Sequence, residues 1–316
     1  MPPDQSSIYA ISNLSDHRQW RRRTLLATLS SIPLLSLPTL ADDKLLTVDL
    51  EMLNPLAPIS PRRYGKLRSD FTEPADGEKL VRRLWQAYAD TGKFDYGHWA
   101  VLYSQLWWQS LPAGKGRLRV SAIARKMATK LMADNPNSAA GPFWAAAHMG
   151  FEALVRGVLD SLRMIPHFFK LLDKAEAIDP SYLMGSVYLA KAKAYIKLPS
   201  FPMSIGSLKK GFQYLEKARP LQEHTYGLWH VFYAEAEIQR DGNAAALRAL
   251  EGLSKVCPTD MQSLYTYEMA FWVADKLRKA IHDGSYNRYT WDPLLQPIIE
   301  LTKTRIYPPD HCHLPR

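Results

Sequence analysis

The most reactive side chains in the sequence lie close to its end, where His311, Cys312 and His313 place two imidazoles and a thiol side by side. Imidazole and thiolate together make a competent metal-ligand set. No fourth ligand stands at a recognised spacing, so no metal site is expected. Cys257 and Cys312 are the only cysteines. In an oxidising compartment they either pair, tying the tail to the helices before it, or stand as two unrelated thiols. His148, His167, His224 and His230 sit among aromatics, where packing accounts for an imidazole more readily than ligation does. Glu216, Glu235 and Glu237 fall in helical patterns and read as solvated faces rather than as an acid–base pair. The chain has no P-loop, no HExxH, no G-x-S-x-G and no recognised Cys-His protease pattern. These absences point to a protein without catalysis, cofactor or metal.

The elements that would position these groups are helical hairpins in a repeat. Pro136 and Pro180 are 44 residues apart, and Ala146, Ala190 and Ala234 recur at the same interval. A second face recurs as Ala124, Ala128, Leu131; Phe168, Leu172, Ala175; Gly211, Leu215, Ala218; and Ala246, Leu250, Leu253. Three of these four faces are followed five residues later by proline, at 136, 180 and 258. Proline lacks the N–H that the next helical turn needs. The pattern predicts an all-α fold of tetratricopeptide-like hairpins forming a solenoid. A standard unit has about 34 residues. The excess lies between the two helices of two consecutive hairpins, from Ala146 to Phe168 and from Ala190 to Gly211, while the last hairpin turns in the ordinary length through Asp241-Gly242. Both enlarged loops are expected on one side of the array, a common location for binding.

The third hairpin carries an aromatic, Ala-rich helix, a P-x-x-P-x-S-x-G loop over 199–206 and a Leu-Glu-Lys-Ala run over 215–218. An Ala-rich hairpin closed by Asp-Gly follows, and an Asn-Pro before another aromatic, Ala-rich helix precedes it. With these features the chain resembles, over roughly residues 115–256, the T-component (TatT) family linked to tripartite ATP-independent periplasmic (TRAP) transporters. The resemblance implies a periplasmic accessory or binding protein that associates with the transporter's substrate-binding subunit, and a possible homotrimer. Carried onto this sequence, it gives the contact positions Tyr188, Tyr195, Pro199, Phe201, Pro202, Ser204 and Gly206. Two prolines stiffen such a loop and reduce the entropy lost on docking, while Phe201 and Met203 supply apolar contact. The competing reading folds the loop back to plug the concave face.

Around this centre, residues 1–41 read as an export signal. Arg21, Arg22 and Arg23 precede an uncharged stretch, with a small-x-small cleavage site at Thr39-Leu40-Ala41. The route, general secretory or twin-arginine, stays open. No cysteine near the cleavage site offers a lipid anchor, and the stretch is too short and too rich in Pro, Ser and Thr for a membrane span. Residues 42–76 form a Pro-rich extended arm expected on the first helices, and residues 77–282 the repeat domain. Residues 283–316 hold a capping helix, started by Asp292-Pro293 and running to about Ile306, and a tail. The net charge of +9 suits acidic partners or anionic lipid. Without basic blocks in an exported protein, nucleic acid is not expected. The expected function is therefore non-catalytic, docking on a solute-binding protein in the periplasm. The alternative is a generic periplasmic adaptor for a protein or peptide, unrelated to transport.

Overall fold

A computed structural model of the chain describes residues 50–60, 74–295 and 312. The expected export segment and most of the expected capping helix lie outside the described residues. Those described form no β-strand and are dominated by helices. α1 is Pro74–Thr91, α2 Phe94–Ser110, α3 Lys115–Asp134, α4 Ala140–Arg156 and α5 Ile165–Ile178. α6 is Tyr182–Lys197, α7 Leu208–Gln222, α8 Leu228–Arg240, α9 Asn243–Glu251 and α10 Met261–His282. Each helix packs on its sequence neighbour, so α2/α3, α4/α5, α6/α7 and α8/α9 make four consecutive hairpins, with α1 laid on the first.

The recurring faces explain the packing. Ala124, Ala128 and Leu131 of α3, Leu172 and Ala175 of α5, Leu215 and Ala218 of α7, and Ala246 of α9 are fully buried. Small residues let the backbones approach: a Cβ on Gly141 at the start of α4 would stand 2.6 Å from the Met132 backbone of α3. α3 ends at Asp134 and α5 at Ile178, each two residues ahead of its proline. The apolar interior is continuous through α6, whose Val187 belongs to the core of the first hairpins and whose Leu189 belongs to that of the last.

Three expectations change. The helical array begins at Pro74 rather than Gly77. The arm is not simply extended over the first helices, because residues 50–53 form a 3-10 turn that seats Leu53 among them, with Tyr103 Oη donating to the Leu53 carbonyl at 2.7 Å. The arm then turns to the last helix, where Met261 N donates to Ala57 O at 3.1 Å and Gln262 N to Pro55 O at 2.8 Å. Finally, α10 is more than one more helix in the row. It starts on a capping box between Asp260 and Ser263 and is buried around most of its circumference. It lies against α8 and reaches α2, where Gln109 touches Met269 at 3.4 Å and accepts a hydrogen bond from Tyr265.

Of the expected capping helix the described part is a 3-10 turn, Pro293–Leu295. The residues leading to it lie across the ends of the hairpins. Lys197 Nζ donates to Trp291 O at 2.8 Å, Arg288 donates to Gln239 Oε1 at 2.9 Å, and Arg117 donates to Leu294 O. Cys257 and Cys312 form a disulfide across 55 residues, which settles the pairing that the sequence leaves open. It also removes the Cys312 thiolate from any His-Cys-His metal set, and no cluster of metal-ligating residues occurs among the described residues. His311 and His313 lie outside them.

Candidate functional site

The sequence-predicted loop is a closed neck carrying an apolar tip. α6 ends at Lys197, where Pro199 is buried. Gly206 N donates to Pro199 O at 2.9 Å and Ser207 N to Tyr195 O at 3.0 Å, which draws the two ends of the loop together. Only glycine fits at 206, because a Cβ there would lie 1.9 Å from the Leu198 carbonyl oxygen. Ser207 then caps α7 by accepting from Lys210 N at 3.3 Å. Between these anchors Ser204 is half-buried, Pro202 is exposed, and Phe201, Met203 and Ile205 are 89%, 61% and 47% exposed. The tip therefore does not plug the array.

Tyr188 and Tyr195 lie behind the neck on α6 and are half-buried. Tyr214 of α7 joins them: its ring is stacked on Tyr195 at 5.7 Å and 9°, and faces Tyr188 at 6.4 Å. Phe169 of α5 extends the row, 4.9 Å from Tyr195. Lysines alternate with the rings. Lys217 is 5.5 Å from Tyr188 and 5.0 Å from Tyr214, Lys210 is 5.3 Å from Tyr195, and Lys191 is 5.3 Å from Tyr214. The row opens onto a cleft of about 930 Å³ along α7 that includes Phe212 and Arg240. Burial, reinforced by Tyr214, raises the Tyr195 phenol above its ordinary range, so it stays a neutral hydrogen-bonding group. The predicted residues thus form two adjoining surfaces, an apolar tip and an aromatic–lysine face, joined through the neck. Sequence reading missed Tyr214, Lys191, Lys210 and Lys217. The signal was present in the seven-residue step from Tyr188 to Tyr195 and in lysines four before and three after Tyr214.

Lys191 anchors this face from below. Its side chain is almost wholly buried, yet Nζ donates to Asp173 at 2.6 Å and to Glu176. Burial opposes its charge, but the two carboxylates outweigh burial and raise its pKa.

The acidic residues read as solvated faces need correction. Glu216 is exposed, but Glu235 is fully buried and Glu237 nearly so. Lys193 and Lys197 clamp Glu235, the latter at 2.8 Å. Its burial favours the neutral acid, but the two ammonium groups overcome that and hold the carboxyl below its usual range. Burial raises Glu237, which pairs with Arg240. Two residues apart on one helix, these carboxylates point in different directions and do not converge on a common substrate. Of the histidines, His148 and His230 are core groups, while His167 and His224 are exposed.

No protein-family model matches the chain, and no curated protein matches it.

Proposed function

We propose that the protein is a non-catalytic, exported binding module. Its partner in this reading is the periplasmic solute-binding protein of a TRAP-type transport system, as the likeness of residues 115–256 to the T-component family implies. The observation that carries the reading is the half-exposed face of stacked tyrosines and lysines on α6 and α7, held beside the closed neck of the 199–206 loop. Tyrosine presents large contact area with few rotatable bonds, and aromatic residues are enriched at interface centres. Alternating lysines suit a partner with acidic side chains at its rim. A homotrimer belongs to the same proposal.

Affinity purification from envelope extracts of the native organism, followed by mass spectrometry, tests the reading. Recovery of a periplasmic solute-binding protein, lost on Tyr195→Ala, supports it. Recovery of unrelated envelope proteins, or of none, overturns the transport assignment in favour of a generic adaptor.

A further inference from the structure

The two enlarged loops lie at one end of the array. Phe169, near the start of α5, meets Tyr195, near the end of α6, at 4.9 Å. The loop before α5 and the loop after α6 therefore share that end, and Arg240, closing α8, lies 4.0 Å from the Phe212 ring at the start of α7. Exposed apolar residues concentrate there: Leu159, 67% exposed, in the first loop, and Phe201, Met203 and Ile205 in the second. Around them stand the exposed cations Arg163, Lys170, Lys209 and Lys210, with Asp160 the acidic residue of the first loop. The opposite end carries Asp90, Asp95, Asp134, Asp179, Glu223 and Glu251 mixed with Lys93, Lys130, Lys174, Arg219 and Lys255. The apolar tips therefore stand at a locally basic end of the array, where Asp160 and Asp241 are the nearby exposed acids.

We propose that the basic end docks on an anionic lipid bilayer, with Phe201, Met203 and Ile205 entering the boundary between headgroups and acyl chains and Leu159 providing a second contact. Lys209, Arg163 and Lys170 meet the lipid phosphates. Lipid suits this surface because an exposed apolar tip needs no shape-matched pocket in hydrocarbon. The loop also satisfies much of its own backbone: Met203 N and Ser204 N donate to Ser200 O at 3.2 and 3.3 Å, Gly206 N donates to Pro199 O, and Pro202 has no N–H. Part of the loop backbone is thus paired internally, and the depth proposed is the headgroup boundary, where water and lipid phosphates reach the remaining groups. No helix among the described residues is long and apolar enough to cross a bilayer, so the contact is peripheral. This inference goes beyond the transport reading. It assigns the loop tip to lipid and leaves the Tyr188, Tyr195 and Tyr214 face to the protein partner.

The test is sedimentation of the purified protein with vesicles of phosphatidylglycerol and phosphatidylethanolamine, against vesicles of phosphatidylcholine alone. Preferential, salt-sensitive binding to the anionic vesicles is expected. Phe201→Ser with Met203→Ser should weaken it at least about tenfold, from the lost apolar burial. Lys209→Gln with Arg163→Gln, neither of which lies over a ring of the tyrosine face, should weaken it roughly 30-fold at low salt, at about 1 kcal/mol per cation. Circular dichroism and urea melts establish that each variant keeps its fold. Failure of the unaltered protein to bind anionic vesicles would overturn the proposal, as would undiminished binding by both variants. A Phe201→Ser variant that binds vesicles normally but loses a protein partner would assign the tip to protein instead. Loss of vesicle binding with Tyr195-dependent partner capture intact would support the lipid assignment, so the two readings fail separately.

Discussion

Acidification from pH 7.5 to 5 is expected to cost the fold about 4 kcal/mol through two histidines held neutral in the core. His98 is buried between α2 and α6, its Nε2 2.5 Å from the Tyr182 hydroxyl, which also accepts from Trp144 Nε1 at 2.9 Å. His148 of α4 is completely buried, with Nε2 3.3 Å from the Val101 carbonyl oxygen. Burial takes both imidazoles from 6.5 down to about 4, and for His148 the Arg125 charge adds to burial while the Val101 carbonyl opposes it. Between those values the unfolded chain binds protons that the folded chain does not. Stability is therefore full above pH 6.5 and falls as pH drops toward 4. A single group with these two pKa values contributes about 2 kcal/mol between pH 7.5 and 5, and His230, also lowered by burial, acts in the same direction. A total stability of about 5–15 kcal/mol is usual, so the effect should be large in a melt.

The assay is urea unfolding at pH 7.5, 6.5, 5.75 and 5, for the natural protein and for His98→Phe and His148→Leu. Glu237, raised by burial, works against this slope because the folded state then binds the proton more readily on acidification, but the natural protein and both variants share it, so the difference between them isolates the rings. Each variant, whatever its absolute stability, should lose about 2 kcal/mol of the pH dependence. Identical dependence in the double variant and the natural protein would refute the assignment to these rings.

Three further outcomes follow from other contacts. Cys257→Ser with Cys312→Ser should lower stability by about 4 kcal/mol in the chain-entropy account of a 55-residue separation, read as a shift of the urea midpoint. Glu235→Gln leaves Lys193 and Lys197 facing an uncharged amide in the interior and should cost about 3–5 kcal/mol by the same melts. At the loop, Gly206→Ala should destabilise measurably because its Cβ would strike the Leu198 carbonyl, whereas Phe201→Ser should change stability by less than about 0.5 kcal/mol. A loss of helicity in Phe201→Ser would place that side chain in the core.

The hairpins were legible in the sequence because they rest on short-range rules. Alanine at one-turn spacing marks where backbones touch, as Ala124 and Ala128 do, and proline two residues past Asp134 and Ile178 marks where helices stop. The loop was legible as an insertion for the same reason: removing it restores the repeat. Its orientation was not, because the choice between plug and protrusion depends on the neck contacts of Gly206 and Ser207 with residues at 195 and 199. Glu235 was misread because a glutamate on an amphipathic helix looks solvated unless its partners are known, and Lys193 and Lys197 come from a helix some 40 residues earlier. Tyr214 was missed because it completes the Tyr188 and Tyr195 row only after α7 folds back on α6.

The position of α10 bears on where a partner can bind. In a hairpin array the first helices of successive units offer one surface and the second helices another. Here α10 lies on α8 and reaches α2, the first helices of the last and first hairpins, and the arm seals its N-terminal end through Met261 and Gln262. Residues 288–294 hold Lys197, Gln239 and Arg117. Much of the first-helix surface is thus committed to the chain itself, and a ligand there would have to displace a helix whose Met269, Ala270, Ala274 and Leu277 are buried. Burying side chains of this size is worth about 1.5–3 kcal/mol each for the larger ones, well above what a peptide contact would return. In the proposed reading a protein partner would therefore meet what the array leaves open, the tyrosine–lysine face of α6 and α7. That argument is checked by Leu277→Asp, which should unfold the array cooperatively. If it instead opened the groove while leaving the hairpins folded, α10 would be a displaceable lid and the first-helix surface would return as the binding site.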